Sequence, residues 1–182
     1  MSRSRGRKMT VAVRASSCPD RHIICAPLNG IVKVAMGFSL HLSDVADEKV
    51  RLAIAAPLAR FNESQAGPSG NRPLVMELRD ADGAVVGGLW GATAYGWLFT
   101  QLLVVPEQSR GQGLGRKLLS MAEAEAMKRG CHAAWLDTFE FQAKAFYEGI
   151  GYSCFAALPD YPKGSSRYFM RKDLGHDEAS VP

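Results

Sequence analysis

The sequence predicts an α/β fold built on a mixed sheet, and three observations predict it. Short apolar runs separated by turn residues fill positions 74–105 and read as hairpins. The apolar run Leu102-Leu103-Val104-Val105 then leads through Arg110-Gly111-Gln112-Gly113-Leu114-Gly115 into an amphipathic helix. A further apolar run at 133–138 follows that helix, so one helix crossover joins strand to strand beside the hairpins.

The elements follow in order. Met36-Gly37 opens a first strand over 37–42. Asp44 or Asp47 caps a helix running to about Asn62, with Val50, Ile54, Leu58 and Phe61 on one stripe. Pro57 inside it predicts a kink or a split. Positions 65–73 form a polar loop rich in Gly and Pro. A strand over 74–79, the turn Asp80-Ala81-Asp82-Gly83 and a strand over 84–92 make a hairpin. The strand over 96–105 is nearly all apolar and therefore central. The helix over 112–129 carries Leu114, Leu118, Met121, Ala122 and Glu125 at helical spacing and stops at Gly130. A buried strand at 133–138, a short helix at 141–150 ended by Gly151, and strands at 152–157 and 167–172 complete the pattern.

At 182 residues the chain is long enough for one domain with a full core. The 47% hydrophobic and 22% charged composition is that of an ordinary globular protein. No apolar run reaches the roughly 18 residues of a membrane span. The nearest, 23–40, is broken by Pro27, Asn29, Gly30 and Lys33. The net charge of +4 suggests nucleic acid, but its location argues otherwise. Residues 1–35 hold seven Lys/Arg against Asp20, and the remainder carries 15 basic and 17 acidic residues. No nucleic acid is therefore expected for the core. The expected organisation is a basic, disordered extension over 1–35, a domain over 36–174 and a flexible tail over 175–182, with Met36 as a candidate start of the biological chain. Cys18, Cys25, Cys131 and Cys154 form no C-x-x-C pair, and no His stands at zinc-finger spacing, so no metal site is expected. The expectation is a reduced, cytoplasmic protein.

Strand, glycine-rich turn, helix is a layout that aims free backbone N–H groups at a phosphate, with the helix dipole adding positive charge. The spacing G-x-G-x-G is not the dinucleotide fingerprint, and Lys117 is misplaced for a P-loop. Instead the run, after a strand ending in Val105, resembles the R/Q-x-x-G-x-G/A pyrophosphate motif of the GNAT N-acetyltransferase superfamily. About thirty residues on, Phe146-Tyr147-Glu148-Gly149-Ile150-Gly151-Tyr152 resembles that superfamily's F-Y-x-x-x-G-F/Y segment. The resemblance covers roughly 37–174.

The resemblance implies the GNAT acyl-CoA N-acyltransferase fold: a twisted, mostly antiparallel sheet with splayed central strands, flanked by helices. It implies acetyl-CoA as cosubstrate and transfer of its acetyl group to a primary amine by direct attack. Backbone N–H groups from Gln112 through Arg116, in the turn of Gly111, Gly113, Leu114 and Gly115, would contact the pyrophosphate. Arg110 and Arg116 would add positive charge. Pantetheine would pair with backbone at Leu103, Val104 and Val105, near Phe146, and Tyr147 would protonate the leaving thiolate. One departure is local: proline follows Val105 directly, where many members have V-x-P.

The base is less defined. Family members often place a glutamate on the strand before the glycine turn, but Trp97-Leu98-Phe99-Thr100-Gln101 has no carboxylate. Asp137 or Glu140 can serve through water, with Glu77 a remote third choice. Glu140 stands seven residues before Tyr147, where many members have a cofactor-contacting asparagine. Loops 65–73 and 160–166 are expected to flank the acceptor, with Trp97, Phe99, Phe139 and Tyr161 lining its entrance. The acceptor class stays open: a small amine, an amino acid or toxic analogue, an aminoglycoside, or a protein amine. Two other readings remain, a catalytically silent CoA-binding module and a nucleic-acid-associated protein acting through the basic arm. Many members of the superfamily form dimers, so a homodimer is also an expectation.

Overall fold

The computed structural model describes residues 31–34 and 38–175. The leading segment before Ile31, the candidate start at Met36 and the tail from 176 lie outside these residues. The chain divides into two compact units, 1–56 and 57–182.

In the first unit, β1 (Ile31–Val34) pairs antiparallel with β2 (Phe38–His41), Ile31 opposite His41. β2 is the strand expected at 37–42. β1 falls in the stretch read as an unpatterned leader, where four residues are too few to show a period. Helix α1 (Glu48–Ala66) starts here, and its cap is Asp47, whose Oδ1 accepts the Lys49 N–H at 2.7 Å. Pro57 does not split α1, because a missing N–H removes one bond from a helix of 19 residues. The helix also outruns its expected end near Asn62, stopping at Gly67, which adopts φ +77°.

The second unit is a six-stranded sheet in the order β3-β4-β5-β6-β8-β7. Its strands are β3 (Arg72–Arg79), β4 (Val85–Ala94), β5 (Trp97–Val104), β6 (Ala133–Phe139), β7 (Ser153–Pro159) and β8 (Ser166–Asp173). Every pair is antiparallel except β5·β6, which the crossover helix α2 (Leu114–Lys128) connects. The β3–β4 turn is closed by Asp80 Oδ1, which accepts the N–H groups of Asp82 (3.0 Å) and Ala84 (2.9 Å). α2 buries Leu118, Leu119, Ala122, Glu123 and Ala126, one position round from the expected row, and leaves Met121 exposed. These side chains pack with Leu74, Leu89, Leu98, Leu136 and Met170 of the sheet.

α2 and the short helix α3 (Lys144–Glu148) end on one device. At α2, Gly130 takes φ +82°, its N–H donates to the Met127 carbonyl, and the Cys131 N–H donates to the Ala126 carbonyl, both at 2.9 Å. At α3, Gly151 takes φ +95°, its N–H donates to the Glu148 carbonyl (3.1 Å) and the Tyr152 N–H to the Tyr147 carbonyl (3.0 Å). This Schellman arrangement brings the residues flanking it into contact. The Tyr147 and Tyr152 rings accordingly meet edge-on at 5.9 Å. The spacing of the second motif is thus a helix stop that fixes Tyr147.

Beneath Tyr147 lies a buried polar tie. Glu123 accepts the Tyr152 hydroxyl at 3.0 Å and the Lys172 Nζ at 2.6 Å. Burial, and then the Glu123 carboxylate, push the Tyr152 phenol up from its ordinary pKa, and burial raises Tyr147 too.

Two stability predictions follow from this packing. A Cβ on Gly88, which holds φ +137°, would stand 2.0 Å from the Met76 carbonyl oxygen. Gly88→Ala should cost about 2 kcal/mol or more by urea denaturation, and a loss below about 0.5 kcal/mol would contradict the close approach of β3 to β4. In the unfolded chain the tyrosines lose their protons near pH 10. Above that pH the unfolded state sheds protons that the folded state retains, so stability falls as pH rises. The urea midpoint should hold to about pH 10 and drop beyond it, less steeply in Tyr152→Phe; equal slopes would count against the buried phenol.

Candidate active site

The ladder between β5 and β6 is short. It runs from Trp97↔Ala133 to Thr100↔Leu136 and ends there, although β5 continues to Val104 and β6 to Phe139. Beyond this point β5 pairs only with β4 and β6 only with β8. A bulge marks the place: Trp90 faces Leu102 while Gly91 faces Thr100, so Gln101 has no partner across the ladder. A Cβ on Gly91 would stand 2.3 Å from the Phe99 carbonyl oxygen, so the bulge needs glycine opposite it. The backbone of Leu103 and Val104 on the β6 side is left without a ladder partner. At the apex, Thr100 Oγ1 is the one buried side-chain polar atom without a hydrogen bond among the described residues.

The glycine turn opens beside this gap. A 3-10 turn at Glu107–Ser109 leads from Pro106 into it, and Gly111 and Gly113 take φ +75° and +79°. Gly113 is the N-cap of α2 and has no capping side chain. The first backbone N–H after the turn to find a carbonyl is that of Lys117, which reaches the Gly113 oxygen at 3.0 Å. Among the described residues no acceptor meets the N–H groups from Gly111 through Arg116. Six donors at a helix N-terminus, uncapped, form a site that favours an anion. Gly115 has a different reason to be glycine: its Cβ would stand 3.3 Å from Phe146 Cζ and 3.8 Å from Val105 Cγ2. Arg116 reaches across to the Gly149 carbonyl at 3.5 Å, and Arg110 to that of Val105 at 3.5 Å. Neither is paired with a carboxylate among the described residues.

Tyr147 is buried, its ring against Phe146 and Tyr152. Its hydroxyl makes no hydrogen bond within the described residues, yet it is not sealed in, since Thr100 Oγ1 alone is both buried and unpartnered. Burial first, then the Asp137 carboxylate, raise its pKa. The phenol therefore stays protonated and available as a donor.

Asp137 is the first residue of β6 beyond the parting. Arg167 of β8 holds it through Nε (2.5 Å) and Nη2, both on Oδ1, which leaves Oδ2 without a partner in the described residues. The hydrogen bond with Asp137 in turn raises the Arg167 pKa. Glu140 is engaged differently: its Oε2 accepts the Ser166 N–H at 3.1 Å and the Ser165 hydroxyl at 3.4 Å, which fastens the β7–β8 loop to the end of β6. Glu77 pairs with Arg79 on β3, two strands away from β5.

The structure thus gathers Leu103, Val104, Val105, the glycine turn, Phe146, Tyr147 and Asp137 around one gap. It does not gather all the aromatics expected at the acceptor. Trp97 meets His132 edge-on at 5.3 Å at the closed end of β5, and Phe99 stacks on Trp135 at 4.1 Å before the parting. Nor do the two expected loops flank one entrance. Ser69 accepts the Tyr95 N–H at 2.7 Å, which ties the loop after α1 to the β4–β5 hairpin at the far end of β5. A concavity of about 540 Å³ lies there too, bordered by Ser69, Arg72, Tyr95 and Arg129. It is a strand's length from the gap, roughly 25 Å. Arg167 and Phe141 escaped the sequence reading, because only the β6–β8 register, which sets Arg167 opposite Phe139, brings Arg167 to Asp137. Gln142 escaped it as well; its Oε1 accepts the Phe139 N–H at 2.9 Å and closes the turn into α3.

Known proteins resemble this chain in sequence and fold. An acetyltransferase of Agrobacterium fabrum is 46% identical over 131 residues, 72% of this chain and 96% of that protein. A blasticidin-S acetyltransferase of Streptomyces morookaense is 41% identical over 93 residues, 50% of this chain and 68% of that protein. A crystal structure of an Agrobacterium tumefaciens acetyltransferase, 45% identical, covers 74% of this chain and 98% of its own with a TM-score of 0.70. The family model described as acetyltransferase (GNAT) family matches residues 45–152, a span that takes in the parted strands, the uncapped glycine turn and the helix stop behind Tyr147. With that match the chain belongs to the GNAT acetyltransferase family.

Proposed function

We propose that this acetyltransferase uses acetyl-CoA and transfers the acetyl group to a primary amine of a small molecule by direct attack. The observation that carries the reading is the row of unpartnered N–H donors from Gly111 through Arg116 beside the β5–β6 gap. The donor set fits a pyrophosphate: backbone N–H groups, a helix N-terminus, and two arginines without carboxylate partners among the described residues. The β5 edge at Leu103 and Val104, paired with β4 on one side and with no strand on the β6 side, fits an extended amide chain, which would complete the ladder that β6 abandons. The cosubstrate supplies a thioester whose carbonyl carbon an amine can attack.

The chain's own groups then have separate tasks. Asp137 Oδ2 accepts an N–H from the incoming amine and directs its lone pair into the gap. Arg167 on Oδ1 fixes the carboxylate's orientation, so Asp137 Oδ2 orients the amine and its proton leaves through water. Tyr147 gives its phenolic proton to the departing sulfur, and burial, which raises the phenol's pKa, keeps that proton in place until the thiolate forms. Glu140, occupied by Ser165 and Ser166, positions the loop and takes no part in proton transfer. A relative's name makes blasticidin S the first amine to screen.

Isothermal titration with acetyl-CoA, followed by thiol release with a panel of amines, tests the reading; a folded sample that binds no acetyl-CoA would overturn it. Gly113→Ala places a side chain at φ +79° and should weaken acetyl-CoA binding about tenfold with unchanged circular dichroism. Affinity equal to wild type would remove the phosphate assignment. Tyr147→Phe should lower kcat about 100-fold while KM for acetyl-CoA moves by less than about threefold. Because the phenol is held above its ordinary pKa, the wild-type rate should show no alkaline fall below about pH 10. An alkaline limb centred near pH 8 would assign the proton to another group.

A further inference from the structure

Next to Asp137 stands a group of rings that the transfer chemistry does not use. Phe139 and Phe141 lie parallel, centroids 5.1 Å apart and planes 7° apart. Tyr161 meets Phe139 edge-on at 5.8 Å. The Arg167 guanidinium lies 5.0 Å from the Phe139 ring and 5.4 Å from that of Tyr161, and its Nη1 donates to the Tyr161 hydroxyl at 3.3 Å. Despite these contacts, Phe141 is 66% exposed and Tyr161 48% exposed. With one face on Phe139, a ring so exposed presents its other face to solvent.

The location matters as much as the exposure. Phe139 follows Asp137 by two residues on the same face of β6, so the rings begin about 7 Å along the strand from the carboxylate proposed to hold the amine. Arg167 belongs to both groups, touching Asp137 with one edge and the aromatic rings with its plane. Whatever amine sits on Asp137 Oδ2 therefore has its far end beside this platform.

We infer that Phe141, Phe139 and Arg167 select acceptors in which a planar aromatic or heteroaromatic ring is joined to the primary amine by a short linker. The ring continues the Phe139–Phe141 stack on the open face of Phe141, with the linker running back along β6 toward Asp137. This rests on the reading of the gap as the acetyl-transfer site. A saturated ring of similar size lacks the flat face and the quadrupole that stacking uses.

The test compares 3-phenylpropylamine with 3-cyclohexylpropylamine as acceptors in wild type, Phe141→Leu and Arg167→Lys. Stacking predicts a wild-type kcat/KM about fivefold higher for the phenyl compound, expressed in KM. Phe141→Leu should abolish that ratio while leaving the KM for acetyl-CoA and the rate on a short alkylamine unchanged. Arg167→Lys should reduce it and also depress kcat. A ratio near one in wild type, or an undiminished ratio in Phe141→Leu, overturns the inference. If neither amine is acetylated, isothermal titration of the same two amines decides it. A phenyl preference lost in Phe141→Leu sustains the platform and counts against transfer alone; equal or absent binding overturns the platform.

Discussion

The parting of β5 from β6 after Thr100 and Leu136 is the constraint on which the rest depends. Backbone groups inside a sheet must be paired, and a parallel ladder that stops halfway leaves them exposed on both sides. The bulge at Gln101 makes the stop possible by turning β5 away while β4 follows it, and glycine at 91 gives the bulge room. Everything functional is arranged around this break. The glycine turn begins where β5 ends, Asp137 is the first residue past the break on β6, and Tyr147 is aimed at it from α3.

The helix N-terminus and the helix stop work as a pair. α2 begins without a side-chain cap, and α3 ends on Gly151, which brings the Tyr152 ring against that of Tyr147. The Glu123–Tyr152–Lys172 tie secures that stop to both α2 and β8. A buried carboxylate with two donors is stable only while both remain, so the tie gives Tyr147 a fixed backing. The geometry at the reacting end is thus held by polar contacts deep in the core.

Much of this was legible in the residues. The strand, glycine turn and helix could be read because apolar periodicity and φ-permissive glycines are local signals, and α2 and all six strands of the large sheet lie within a few residues of their expected places. Tyr147 was legible for the same reason, since its motif is a local helix stop. What local pattern could not show was register. Only the pairing of Phe139 with Arg167 reveals that an arginine thirty residues away in sequence holds Asp137. The same ignorance of register placed Trp97 and the loop after α1 near the acceptor, whereas the β4–β5 hairpin carries both to the far end of the strand. The burial of Glu123 is set by register in the same way, because a helix pattern does not reveal that Lys172 of β8 will arrive above it.

The two ends of the gap are made of different material. The glycine turn presents main-chain N–H groups, which every residue type except proline possesses, so most side-chain substitutions there alter it only through φ. The proposed acceptor end is assembled from side chains: Asp137, Arg167, Phe139, Phe141 and Tyr161. Random mutation therefore falls unevenly on the two halves of the reaction. On the proposed assignment, donor use is insulated from drift, while acceptor range is open to rewriting by a few substitutions on β6, β8 and the loop between β7 and β8. A scaffold divided in this way lends itself to directed evolution toward new amines.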